Sequence, residues 1–177
     1  MDMKQKNLLV TGPPGCGKTT LVRNLADRLR NYHPAGFYTA EIRVGGTRQG
    51  FELVSLDGKK SLLAHVTIKS SHHVGKYGVD IPGFEAFLGS LFFSGSSQKF
   101  LIIDEIGKME CMSARFRQVI DEILSSDTPC IATIAMKGDR FIEEIRQRED
   151  ATLFIMTPEN RDVLALSVIE QIKRFLT

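Results

Sequence analysis

The chain lacks an excess of charge of either sign: 23 lysines and arginines against 21 aspartates and glutamates leave its 177 residues at +2. That balance removes the electrostatic case for binding nucleic acid over a wide surface and leaves only a local basic groove open. A long apolar run is missing as well. The opening MDMKQKNLLV has none of the apolar length of a signal peptide or a membrane span, so a cytoplasmic protein without a membrane segment is the expectation. Cysteine is scarce. Cys16, Cys111 and Cys130 are odd in number and follow no metal-ligand spacing, which reads as buried free thiols in a reducing compartment. Internal repeats and low-complexity tracts are absent, and Phe and Tyr form no stripe on which bases would stack. What remains is 42% apolar and 25% charged, over a length that suits one domain, residues 1–177, with a full core. A monomer is the expectation.

Short apolar runs alternate with amphipathic segments. NLLVT, from Asn7 to Thr11, reads as a strand, followed by a Gly-rich turn and a helix through TTLVRNLADRLRN. GFYTAEIRV and GFELVSL read as strands either side of a GGTRQ turn. A second turn at Asp57-Gly58 precedes KKSLLAHV, so a small antiparallel insertion is expected over about residues 36–68. KSSHHVGKYGVDIPG reads as a loop, and PGFEAFLGSLFF as a helix with Pro82 at or before its start. From there KFLIID, PCIATIA and ATLFIM read as strands; ARFRQVIDEILSS, RFIEEIRQRE and PENRDVLALSVIEQIKRFL read as helices. Strands alternating with helices, several apolar on both faces, predict an α/β fold with a mostly parallel sheet covered on both sides.

Gly12, Pro13, Pro14, Gly15, Cys16, Gly17, Lys18 and Thr19 fit the G-x-x-x-x-G-K-[ST] phosphate loop (Walker A), and they lie between a strand and a helix as that motif requires. Glycines let the backbone curl so that successive N–H groups face phosphate oxygens, and the helix behind adds its positive end. Lys18 reaches the β- and γ-phosphates in such a loop, and the Thr19 hydroxyl is a Mg²⁺ ligand.

LIIDEIGKME, from Leu101 to Glu110, supplies the Walker B half. Asp104 ends a buried strand, where an open α/β sheet binds ligands, and would hold Mg²⁺ opposite Thr19. Glu105, a second carboxylate beside the metal acid, has the chemistry to orient an attacking water or take its proton. Lys108 can neutralise charge on the γ-phosphoryl group if it faces the crevice. Glu110 then braces Lys108 or joins the metal's water shell. The competing reading is a solvated Lys–Glu pair of little energetic weight.

TGPPGCGKTT, GFYTAEIR, VGKYGVDIPGFE, IIDEIGKME and TPENRD occur in this order and span nearly the whole chain. Together they resemble the THEP1 nucleoside-triphosphatase family of archaea, thermophilic bacteria and some eukaryotes. The resemblance implies a RecA-like P-loop NTPase three-layer sandwich with an extra strand between the phosphate-loop strand and the Asp104 strand. It implies Mg²⁺-dependent hydrolysis of ATP, GTP, CTP and other nucleoside triphosphates to diphosphate and phosphate, with little base preference. Its nucleotide-binding segments fall on Gly12 to Thr20 and on Leu101, Ile102, Ile103, Asp104, Glu105, Ile106, Gly107 and Lys108. Glu105 takes the place of the family's water-activating acid; the residues themselves offer Lys18 and Lys108 as further catalytic candidates and Thr19 and Asp104 as the metal ligands. Where the family has Thr-Glu-Glu, this chain has Thr39-Ala40-Glu41, so any role of the first acid is absent.

Other groups carry weaker signals. Arg43 is either a charge stabiliser near the phosphates or an exposed hairpin arginine. Met136-Lys137-Gly138-Asp139 falls where guanine-specific switches carry Asn-Lys-x-Asp, but lacks the asparagine; Asp139 as a helix cap explains it. Arg140, Arg146 and Arg148 are candidates for a phosphate lid or, interleaved with Glu143, Glu144 and Glu149, for a solvated ion-paired face. Asn160-Arg161-Asp162 opens the last helix, and His72 and His73 have no partner ligand at metal spacing. Two further functions stay open on sequence: a phosphotransferase acting on a nucleoside or other small molecule, and a nucleotide-dependent switch or accessory ATPase acting on RNA, DNA or protein.

Overall fold

The computed structural model describes residues 5–91 and 99–176. Among these residues nine strands form one sheet: β1 (Asn7–Thr11), β2 (Ala35–Val44), β3 (Thr47–Ser55), β4 (Lys60–His65), β5 (His73–Val74), β6 (Tyr77–Val79), β7 (Leu101–Ile106), β8 (Cys130–Ile134) and β9 (Ala151–Ile155). Their order across the sheet is β5-β6-β4-β3-β2-β7-β8-β1-β9. β8 therefore lies between the phosphate-loop strand β1 and the Asp104 strand β7, the extra strand that the resemblance implied. Helices α1 (Lys18–Arg28), α2 (Ile81–Gly89), α3 (Ala114–Ser125), α4 (Arg140–Arg146) and α5 (Arg161–Leu176) cover it.

Strand alternation sorts the apolar residues onto two faces. Leu8 and Val10 of β1 and Ile102 of β7 pack under α1 and α5 with Leu21, Leu25, Val168 and Ile172. Leu9, Leu101 and Ile103 face the other way, toward α2, α3 and α4. There Phe37 of β2 meets Phe84, Phe87 and Phe116 edge-on, at ring-centroid distances of 6.3, 5.7 and 6.5 Å. Edge-to-face contact of this kind adds about 0.5–1.5 kcal/mol per pair beyond area burial. Asp80, Ser113 and Asp139 cap α2, α3 and α4, each side chain accepting from the backbone N–H three residues on. Cys16, Cys111 and Cys130 are buried free thiols, as expected.

The antiparallel part is larger than the sequence suggested. β2 pairs in parallel with β7 over Ala35–Phe37, then antiparallel with β3, and β4, β6 and β5 continue outward. Parallel and antiparallel pairings are thus equal among the described residues, and the insertion is an extension of the main sheet that reaches Val79. β5 and β6 lie within the segment read as a loop. Strands of two and three residues are too short for any periodicity to register, yet Tyr77 and Val79 are buried. The β2–β3 turn is only Gly45-Gly46, at φ of 55° and 79°, so the strand resumes at Thr47. α1 stops at Arg28, short of the expected Asn31, which falls in a separate 3-10 turn. α2 ends at Gly89; Phe92 and Phe93, expected in that helix, lie outside the described residues. α4 ends at Arg146 rather than Glu149. No helix among the described residues is long and apolar enough to cross a membrane.

Candidate active site

Two crossings of the sheet deliver the site. β1 runs into the phosphate loop, which turns over Pro13 to Cys16, with the Cys16 N–H donating to the Pro13 carbonyl at 3.2 Å. Gly12 must be glycine because a Cβ there would come within 2.3 Å of the Met156 carbonyl oxygen. Gly17, at φ 110°, adopts the left-handed conformation that turns the chain into α1. Pro13, Pro14 and Gly15 are exposed, Cys16 is tucked inside, and Lys18, Thr19 and Thr20 form the first turn of the helix. The Lys18 Nζ donates to the Gly12 carbonyl at 3.0 Å, which folds the side chain back across its own loop.

β7 brings the acids to the same place. Leu101, Ile102, Ile103 and Ile106 are enclosed in the two cores, so their side chains anchor the strand. Asp104 is 1% exposed. Its Oδ2 accepts from the Thr19 hydroxyl at 2.7 Å and from the Thr39 N–H at 3.4 Å; its Oδ1 accepts from the Thr133 hydroxyl. Thr39 also donates its hydroxyl to the Asp104 carbonyl at 2.8 Å. The Asp104–Glu105 peptide is cis. Burial pushes the Asp104 carboxyl above its ordinary range, against the pull of Thr133, Thr19, Thr39 and Lys18. A buried carboxylate and a hydroxyl in contact form a hard-oxygen pair of the type that holds Mg²⁺, and a cation there would offset the cost of ionising Asp104. Mg²⁺ needs only one or two protein oxygens beside those of a phosphate.

Glu105 is half-buried, and burial raises its pKa; Lys18 opposes that rise and Asp104 reinforces it. Beyond it the chain turns at Gly107, whose carbonyl accepts from the Cys111 N–H at 3.0 Å. Glu110 folds back underneath, 5% exposed. Lys108 is exposed and lines a separate cavity of about 440 Å³ with Arg117, Lys137 and Asp139. Lys108 and Glu110 therefore point to opposite sides of the turn, and neither the bracing of Lys108 by Glu110 nor a solvated Lys–Glu pair describes them.

The remaining candidates sort by their contacts. Glu41 is shared by Arg43 and Arg48 on the exposed β2–β3 hairpin, at 2.6 and 2.8 Å. Arg140 pairs with Glu144, Arg146 with Glu143, and Arg148 with Asp150. Asp139 caps α4 and pairs with Arg117 at 2.7 Å. Asn160 ties the turn after β9, accepting from the Thr157 N–H and donating to the Ile155 carbonyl. The Arg161 Cδ lies 3.9 Å from where a Cβ on Gly17 would stand. His72 and His73 are exposed. Thr39 and Thr133 escaped the sequence reading. The only signal was a hydroxyl within each apolar strand, and strand neighbours decide which hydroxyls meet Asp104.

The chain has relatives among known proteins. A family model described as NTPase matches residues 7–169. The nucleoside-triphosphatase THEP1 of Thermotoga maritima is 40% identical over 167 residues, covering 94% of this chain and 95% of the relative. The human cancer-related nucleoside-triphosphatase is 37% identical over 180 residues, covering 93% and 95%. The crystal structure of THEP1 from Aquifex aeolicus superposes with a TM-score of 0.83 at 35% identity, covering 95% of this chain and 99% of that one. The chain belongs to this nucleoside-triphosphatase family.

Proposed function

We propose that the chain hydrolyses nucleoside triphosphates to the diphosphate and phosphate in a Mg²⁺-dependent reaction with little preference for the base. The observation that carries this reading is Glu105: a half-buried carboxylate raised by burial, beside Asp104 and within the field of Lys18. Water attacks the γ-phosphorus in line. Its oxygen forms the new P–O bond as the bond to the β-phosphate oxygen breaks, and its proton passes to the Glu105 carboxylate. Lys18 and the amides of the phosphate loop take up charge on the phosphoryl oxygens. Thr19 and Asp104 would hold Mg²⁺, which when bound neutralises phosphate charge. The loop at Met136–Asp139 supports the reading of broad base tolerance, because its aspartate caps α4 and pairs with Arg117. Nucleoside triphosphates are the partners this site implies.

Phosphate release across ATP, GTP, CTP and UTP, with and without Mg²⁺, tests the reading. Similar rates with all four and loss without the metal are expected. E105Q should retain nucleotide binding and lose roughly 10²–10⁴-fold in kcat, the range of a positioned general base. Normal hydrolysis by E105Q would assign the water to another residue, and diphosphate formed without matching phosphate release, only when an acceptor is added, would point to a phosphotransferase.

A further inference from the structure

We propose that Glu110 is a positioning residue for hydrolysis: from beneath Gly107, its buried carboxyl fixes where the Glu105 carboxylate stands. The inference rests on the reading of Glu105 given above. Its geometry centres on Gly107. A Cβ placed there would lie 2.8 Å from Glu110 Oε2, 3.2 Å from Glu105 Oε1 and 3.4 Å from Glu105 Cγ. Both carboxyl groups thus crowd the one place where a side chain on Gly107 would stand.

The backbone N–H groups of Gly107 and of Glu110 itself favour the charged form of this carboxyl, so the group sits against the turn that follows Glu105. Acids are almost never this buried without a partner that uses them. The charged groups acting on Glu110 are Glu105 and Asp104 from β7. Cys111, the adjacent titratable group, has its thiol pushed up to about 12 by burial and stays protonated. Burial, reinforced by Glu105 and Asp104, lifts the Glu110 carboxyl to about 8. Glu110 therefore carries a proton at neutral pH. It holds the turn without adding a second negative charge beside the water and the γ-phosphate.

A neutral side chain that accepts hydrogen bonds should replace it, and an apolar one of similar length should not. E110Q keeps the acceptor; E110M keeps the volume and loses it. In steady-state phosphate release with Mg-ATP, E110Q is expected within about threefold of wild type, and E110M at least roughly tenfold down in kcat with KM nearly unchanged, the split expected when ground-state binding is intact. In the E105Q background, single-turnover release should be slowed no further by E110M, because the residue acts through Glu105. E110M at the wild-type kcat, E110Q as impaired as E110M, or an equal loss from E110M with and without Glu105 would each overturn the proposal. If E110M does not fold, E110D, which cannot reach Gly107, takes its place with the same expectation. Normal hydrolysis by E105Q defeats the reading of Glu105; a silent E105Q with an unimpaired E110M defeats the role of Glu110 alone.

Discussion

Replacing Glu110 by glutamine should change how stability depends on pH, and the size of the change follows from burial. Glu110 titrates near 4.5 in an unfolded chain and near 8 in the folded one, because burial and then Glu105 disfavour its charge. The folded state therefore holds this proton more tightly. The associated stability is complete below the unfolded value, falls as pH rises between the two values, and is flat above the upper one. Each pH step inside that window removes about 1.4 kcal/mol, so the wild type loses roughly 3–4 kcal/mol between pH 5 and pH 8 from this group. Glutamine does not titrate and loses nothing. Asp104 and Glu105 are also raised by burial, but they are present in both proteins, so only their coupling to Glu110 enters the difference. For a chain of this length each kcal/mol moves Tm by roughly 2–4 °C, so the E110Q-minus-wild-type difference should grow by on the order of 10 °C across this range. Calorimetric melting of both proteins at pH 5 and pH 8 measures it. A Tm difference that does not change with pH would show that Glu110 ionises like an exposed carboxylate, and the argument from its burial would fail.

Two other substitutions probe the same turn and its neighbour. Gly107→Ala inserts a Cβ 2.8 Å from Glu110 Oε2 and 3.2 Å from Glu105 Oε1, so both carboxyls must move; kcat for phosphate release should fall well below wild type while nucleotide affinity by titration calorimetry holds. Thr133→Val removes the hydroxyl that donates to the buried Asp104 Oδ1 and holds its pKa down. Leaving that acceptor bare should cost roughly 1–3 kcal/mol in urea unfolding, and the Mg²⁺ concentration for half-maximal activity should rise. An unchanged Mg²⁺ requirement would separate Thr133 from the metal acid.

What was legible in the sequence follows from how local each feature is. The phosphate loop is contiguous, and glycines at fixed offsets before Lys18 and Thr19 leave few other conformations, so it could be read directly. Asp104 was legible as the acid ending an apolar run. Thr39 and Thr133 were not, because they reach Asp104 only through strand order. β2 and β8 flank β7, and no periodicity within one segment encodes its neighbours. β5 and β6 failed on length, and the burial of β6 comes from its pairing with β4 and its packing in the core on the α2 side of the sheet. Residues Lys108 and Glu110 failed on direction. At two positions' separation they looked like partners, but the turn at Gly107 sends Lys108 outward to the cavity with Arg117 and Glu110 inward.

That division explains how one short stretch can hold four charges without repelling the ligand it serves. Written as formal charges, Asp104, Glu105 and Glu110 place three negatives where a triphosphate must arrive. The fold reduces that number by environment. Asp104 is surrounded by the hydroxyls of Thr19 and Thr133 and the Thr39 N–H, a setting a divalent cation would complete. Lys18 favours the charged form of Glu105, against its burial. Glu110, fully enclosed and opposed by Glu105, keeps its proton at neutral pH. Lys108 is free to face solvent because no buried negative charge in the turn requires it. The third acid thus contributes hydrogen bonding and shape to the turn, and at neutral pH it adds no field against the incoming phosphates.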